Sequence, residues 1–155
     1  MSNSFFEIKN VNFYASEKNK VKNVYLKIDK QGEIITLLGP SGVGKTTILR
    51  SIAGLQKIEN GEIFLKKKLI SSKDYHLPPE KGNIALSFQD NSLFPNYKVI
   101  ENINFGKKKS DISGYTYDEN DIIELLHIAP LLNKFPHQIS AGEAQRVSLA
   151  RSLMS

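Results

Sequence analysis

One stretch constrains this chain more than any other: Gly39-Pro40-Ser41-Gly42-Val43-Gly44-Lys45-Thr46. It fits G-x-x-x-x-G-K-[ST], and a chance match somewhere in a chain of this size has odds on the order of 1% at ordinary residue frequencies. The flanks supply the context that the pattern requires. Ile34-Ile35-Thr36-Leu37-Leu38, a nearly continuous apolar run, predicts a strand buried on both faces of a sheet. Ile48, Leu49, Ile52 and Ala53 mark the apolar side of a helix that Gly54 stops. Between the two, glycines let consecutive N–H groups turn inward, and the helix start adds roughly half a positive charge, which suits phosphate oxygens. Lys45 would reach the outer phosphates, and Thr46 offers a neutral hydroxyl to Mg2+, a hard ion that prefers oxygen. The ligand predicted for Gly39 to Thr47 is a Mg-nucleotide.

Around this loop the chain alternates strand and helix signals, an α/β pattern. From Phe6 to Tyr14, and again from Val21 to Ile28, apolar and polar residues alternate, predicting an antiparallel pair turned at Lys18-Asn19-Lys20. Gly61 to Leu65 and Ile84 to Phe88 read as further strands separated by a polar loop containing Pro78-Pro79. Beyond Gln89 the spacing becomes helical, first at Val99, Ile100 and Ile103, then at Ile122, Ile123, Leu125 and Leu126. Gly106 to Tyr117 forms a polar linker. Ser140-Ala141-Gly142-Glu143 has the form of a capping box and opens a last helix striped by Val147, Ala150 and Met154.

Composition narrows the function classes. With 155 residues there is room for one domain, and with no cysteine there is no disulfide framework or thiolate metal site, as in a reducing compartment. No basic segment followed by an apolar stretch opens the chain, and no apolar run approaches the ~20 residues of a membrane-spanning helix. The net charge of +5 comes mostly from lysine. Its densest clusters, Lys66 to Lys68 and Lys107 to Lys109, lack interleaved aromatics and read as solvated loops, so no nucleic-acid partner is expected. A GTPase would need Asn-Lys-x-Asp, and Asn133-Lys134-Phe135-Pro136 lacks the aspartate. A small-molecule kinase would cluster arginines, whereas Arg50, Arg146 and Arg151 are scattered.

Three stretches in order resemble the motifs of the ATP-binding cassette (ABC) transport ATPases and cover nearly the whole chain. Gly39 to Thr47, continuing through Ile48-Leu-Arg-Ser-Ile-Ala-Gly-Leu55, is similar to the Walker A loop and helix. Ser87-Phe-Gln89-Asp-Asn-Ser-Leu-Phe-Pro95, continuing to Val99-Ile-Glu-Asn-Ile103, is similar to the Q-loop. Ile139-Ser-Ala-Gly-Glu-Ala-Gln-Arg-Val-Ser-Leu-Ala-Arg151 resembles the Leu-Ser-Gly-Gly-Gln signature and its helix. The resemblance implies a P-loop NTPase (RecA-like) core with an N-terminal antiparallel β subdomain and a helical subdomain. In this chain 1–88 would hold the β subdomain and the first half of the core, 89–139 the helical subdomain and 140–155 the signature helix.

By the same resemblance ATP and Mg2+ are the ligands, and Lys45 and Gln89 the catalytic residues. Gln89 would touch Mg2+ or the attacking water and relay nucleotide state to a transporter subunit. Ser140, Ala141, Gly142 and Glu143 would cap the ATP held by another subunit, giving a homodimer or a pair with a second nucleotide-binding subunit. Tyr14, or alternatively Phe13, stands near where the family stacks an aromatic on adenine; plain core or edge packing is the other reading of either. The permease would be a separate membrane protein, the importer arrangement, with this chain peripheral on the cytoplasmic face. Leu77-Pro-Pro-Glu-Lys-Gly82 is similar to the subgroup importing iron, sulfate, molybdate, spermidine or thiamine.

Departures from the pattern set further expectations. Ala141 stands where the family has glycine, adding a methyl where a ligand must approach closely. Glu143 stands where it has glutamine, and the capping box can absorb its charge. The Walker B strand ending in Asp-Glu and the switch histidine are not in the sequence; His76, His127 and His137 precede the place for the latter. The expectation is a truncated cassette or fragment lacking C-terminal core strands, with doubtful hydrolysis by itself. The alternative function is a non-hydrolytic nucleotide-binding fragment or remnant.

Overall fold

Apolar alternation along the first strand breaks once, and the break organises the N-terminal sheet. Phe6 and Ile8 face inward, then Val11 and Phe13 do, three residues apart across the gap instead of two. Lys9 and Asn10 absorb the extra residue as a bulge, with Asn10 at φ +49°. The structure, a computed structural model, describes residues 4–14, 20–87, 93–105 and 118–154. It divides into two units, Met1–Ile84 and Ala85–Ser155.

In the first unit β1 (Phe6–Tyr14) pairs antiparallel with β2 (Lys20–Ile28), as the alternation predicts. The expected turn at Lys18 and Asn19 lies outside the described residues. On its other edge β1 pairs with β3 (Asn60–Leu65), which pairs with β4 (Lys68–Ser72), giving the order β2-β1-β3-β4. Between β3 and β4 stand only Lys66 and Lys67, at φ +48° and +66°, the two left-handed residues of a type I′ turn. The stretch read as a solvated lysine loop is therefore a tight hairpin, and β4 was not expected. Phe6, Ile8, Val11, Phe13, Ile58, Ile63, Ile70 and Leu77 form the core, each worth about 1.5–3 kcal/mol on burial. Helix α1 (Lys45–Ile52) lays Ile48 and Ile52 on it. The helix ends as predicted: Ala53 caps it, Gly54 turns left-handed, and the Leu55 N–H returns to Arg50 O at 2.9 Å.

Two expected core strands are not strands here. Residues 33–40 join no ladder, and Ile34 and Leu38 are 93% and 89% exposed rather than buried. Residues 84–87 are likewise unpaired, and Phe88 lies outside the described residues. A strand needs a neighbour about 4.8 Å away to take its N–H and C=O groups, and among the described residues neither segment has one. Within the first unit, beside the Ile34 to Leu38 stretch, lies a hollow of about 700 Å³ lined by Ile35, Leu37, Leu49, Ile52, Leu65 and Ile70 among others.

The second unit is helical, as predicted beyond residue 89. Its core joins Leu93, Val99, Ile103, Ile122, Ile128, Leu131, Ala144, Val147 and Ala150 from α2 (Val99–Phe105), α3 (Glu119–Leu125), α4 (Ala141–Leu153) and the segments before and between them. Residues 106–117, expected as a linker, lie outside the described residues. The first amides of α2 find backbone partners: Val99 N–H donates to Lys134 O and Ile100 N–H to Leu132 O. Asn102, fully buried, has its polar atoms satisfied. Its Oδ1 accepts from Phe94 N–H at 2.7 Å, and its Nδ2 donates to the carbonyls of Phe94, Tyr97 and Lys98. That clasp fixes the loop in which Phe94 packs on Tyr97 and Phe105.

Candidate functional site

Lys45 opens α1 and bends back over the loop that precedes it. Its Nζ donates to Gly39 O and to Pro40 O, both at 2.7 Å, so the ammonium closes the turn from Gly39 to Gly44 into a ring. Gly44, the buried residue before the helix, sits at φ +105°, where a side chain would be strained. It supplies no side-chain cap, so the first-turn amides of α1 keep no partner from that position. No acid stands in that first turn, whereas α3 begins with Glu119 and Asp121 and α4 carries Glu143. The positive end of the α1 dipole is thus left for an anion from outside.

The other loop residues lie at or near the surface around this turn. Ser41, Gly42 and Val43 are exposed, with Val43 N–H turned back toward Pro40 O. Thr46 is exposed on the first turn and Thr47 is half-buried. Gln89 lies outside the described residues. Of the two aromatics considered for the base, Phe13 is fully buried in the sheet core, which removes it. Tyr14, next along β1, is 43% exposed, and Gln56 Nε2 donates to its carbonyl oxygen. Sequence reasoning did not find Gln56, because nothing local marks a side chain that acts 42 residues away. Nor does spacing mark the contact that His76 makes. Its Nε2 lies 2.9 Å from Gly54 O, which can only accept, so that nitrogen carries the proton and ties β4's flank to the end of α1.

The signature residues belong to the second unit. Ser140 is the N-cap of α4: its Oγ accepts from Glu143 N–H, and Glu143 Oε2 accepts from Ser140 N–H at 2.7 Å. The capping box expected to absorb the Glu143 charge is formed. Ala141 and Gly142 are exposed beside it, and a Cβ built at Gly142 meets nothing within 4 Å. Hydrogen bonding to the Ser140 backbone, then to its side chain, holds the Glu143 carboxyl below its ordinary value. A depressed folded value means the cap's contribution is complete above the ordinary carboxylate range and is lost as pH falls through the folded value. The Ser140 amide proton resonance is therefore expected to titrate with a midpoint below that range, and to stay fixed in Glu143→Gln.

With this geometry in place, likeness to known proteins becomes specific. The family profile described as ABC transporter matches residues 21–155. The chain belongs to the ABC transporter family. An Fe(3+) ions import ATP-binding protein of Haemophilus influenzae is 38% identical over 155 residues, 99% of this chain and 43% of that protein. A spermidine/putrescine import ATP-binding protein of Thermotoga maritima is 40% identical over 148 residues, 94% of this chain and 39% of that protein. Among solved structures, a dimeric ATP-binding cassette in a post-hydrolysis state with ADP and Pi superposes with TM-score 0.71 at 28% identity. It covers 96% of this chain and 69% of that one. The fold is that of part of an ABC ATPase cassette, a small antiparallel sheet with helices. The chain spans about two-fifths of the length of the curated relatives it matches. No helix among the described residues is long and apolar enough to cross a membrane.

Proposed function

We propose that this chain is the ATP-binding part of an ABC importer's ATPase subunit, coupling ATP binding and hydrolysis to solute uptake through a separate membrane permease. The observation that carries the reading is the ring closed by Lys45, set against a helix start with neither a side-chain cap nor an acid. In this reading the amides of Gly39, Ser41, Gly42 and Gly44, with that of Val43 once it leaves Pro40 O, would face phosphate oxygens. Lys45 Nζ exchanges two carbonyl acceptors for the more strongly accepting oxygens of the outer phosphates. Those of Thr46 and Thr47 add the helix end. Thr46, exposed on the first turn, is a neutral oxygen donor of the kind Mg2+ accepts, and Gln89 is assigned as its second contact. When bound, the ion neutralises charge on the phosphate oxygens. Tyr14 takes the adenine face, as the exposed aromatic at the end of β1.

Ser140, Ala141, Gly142 and Glu143 are assigned to the phosphates held by a second copy or a second nucleotide-binding subunit, an arrangement the dimeric neighbour supports. The division into 1–88, 89–139 and 140–155 belongs to the same reading, as does a place on the cytoplasmic face beside the permease. The two relatives differ in cargo, Fe(3+) and spermidine/putrescine, at nearly equal identity. Cargo choice accordingly lies with the permease side of the assembly.

A second reading follows from the residues in hand. These 155 residues hold no apolar run ending in Asp-Glu to orient an attacking water, and in this second reading they bind ATP without turnover. Equilibrium binding of a fluorescent ATP analogue, run beside a phosphate-release assay, separates the two. Binding with release supports an ATPase, binding alone supports the non-hydrolytic fragment, and no binding by folded protein contradicts both.

A further inference from the structure

The base side of the site is held by a residue that no motif contains. Tyr14 closes β1 with its carbonyl oxygen turned to the loop after α1, where Gln56 Nε2 donates to it across 2.6 Å. That loop is anchored to the phosphate-binding helix. Gly54 N–H donates to Ser51 O, Leu55 N–H donates to Arg50 O, and Gly54 O accepts from His76 Nε2. Two residues upstream, the strand end is fixed separately: Glu59 N–H donates to Asn12 O, and Asn12 N–H donates to Asn60 Oδ1. Gln56 therefore joins the helix that begins at Lys45 to the peptide that carries the exposed aromatic.

We propose that Gln56 is a positioning residue for the nucleoside end of the ligand. By holding the Tyr14 carbonyl it fixes the peptide plane after Tyr14, and with it the direction of the Tyr14 side chain relative to α1. It would thereby set how strongly the site prefers a nucleoside triphosphate over bare triphosphate. The proposal rests on the reading of Tyr14 as the base contact. The chemistry demands an N–H donor of this reach. Glutamate places an acceptor against an acceptor, and alanine leaves the carbonyl to water. The bond is exposed, so its loss perturbs the orientation of Tyr14 more than the stability of the fold.

The test titrates the whole chain with Mg-ATP and with Mg-tripolyphosphate, comparing wild type, Gln56→Glu, Gln56→Ala and Tyr14→Ala, with melting curves for each. The expected result is a three- to tenfold loss of ATP affinity in both Gln56 variants, tripolyphosphate affinity unchanged, and a similar fall in the ratio for Tyr14→Ala. If Tyr14→Ala lowers the ratio while the Gln56 variants leave it alone, or weaken both ligands equally, the positioning role is overturned. If Tyr14→Ala itself leaves the ratio unchanged, the base-contact reading fails and this proposal with it.

Discussion

Replacing Lys45 by alanine is expected to weaken Mg-ATP binding by about ten- to a hundredfold while leaving the melting transition nearly where it was. The two outcomes separate because the lysine has different partners in the two states. In the structure its ammonium donates to Gly39 O and Pro40 O on an exposed loop. Those bonds compete with water, and both carbonyls are reached by solvent once the ammonium leaves, so their loss costs the fold little. With a triphosphate present the same three N–H groups face anionic oxygens, and hydrogen bonds to charged groups run at about 1.5–3 kcal/mol. At 1.4 kcal/mol per decade that range is the predicted loss. Isothermal titration calorimetry of the two proteins, with a thermal melt of each, reads both numbers. Unchanged affinity would remove Lys45 from the site.

Gly61→Ala is expected to be the most damaging small substitution in the first unit. Gly61 stands at φ +83° directly beside the bulge of β1. A Cβ there would lie 2.5 Å from Lys9 O and closer still to Asn10 O, both backbone atoms that cannot swing aside. Left-handed backbone costs an L-residue about 1–2 kcal/mol, and forced overlap about 1–3 kcal/mol more. Against a typical domain stability of about 5–15 kcal/mol, such a loss lowers the melting temperature by more than about 10 °C or abolishes the transition. Gly142→Ala is the matched control: its Cβ meets nothing, and alanine is the better helix former by up to about 1 kcal/mol. Circular dichroism melts should move in opposite directions for the two variants. A Gly61→Ala protein as stable as wild type would mean that β1 and β3 do not meet at this register.

What could be read in the sequence was what short-range chemistry fixes. The start of α1 at Lys45, its end at Gly54 and the Ser140–Glu143 box each depend on residues within a few positions of one another, and each is found as expected. Choosing between Phe13 and Tyr14 required the bulge at Lys9 and Asn10. Counted from Phe6 the inward positions are even-numbered, and only after the extra residue do Val11 and Phe13 turn in. The hairpin at Lys66 and Lys67 escaped notice because two lysines at positive φ replace the usual Asn-Gly signal. Ile34 to Leu38 has the apolar run of a central strand, but a run of that kind expresses a demand for neighbours and cannot supply them. Gln56 and Asn102 act through partners that sequence spacing does not reveal. Gln56 reaches across 42 residues, and Asn102 gathers a loop in a core formed by several elements.

The most direct test follows the loop amides themselves. In a 15N-labelled sample titrated with Mg-ATP, the backbone resonances of Gly42, Val43, Gly44, Lys45, Thr46 and Thr47 should shift together along one binding curve. Folded protein in which those resonances stay still, while others move or none do, would contradict the account.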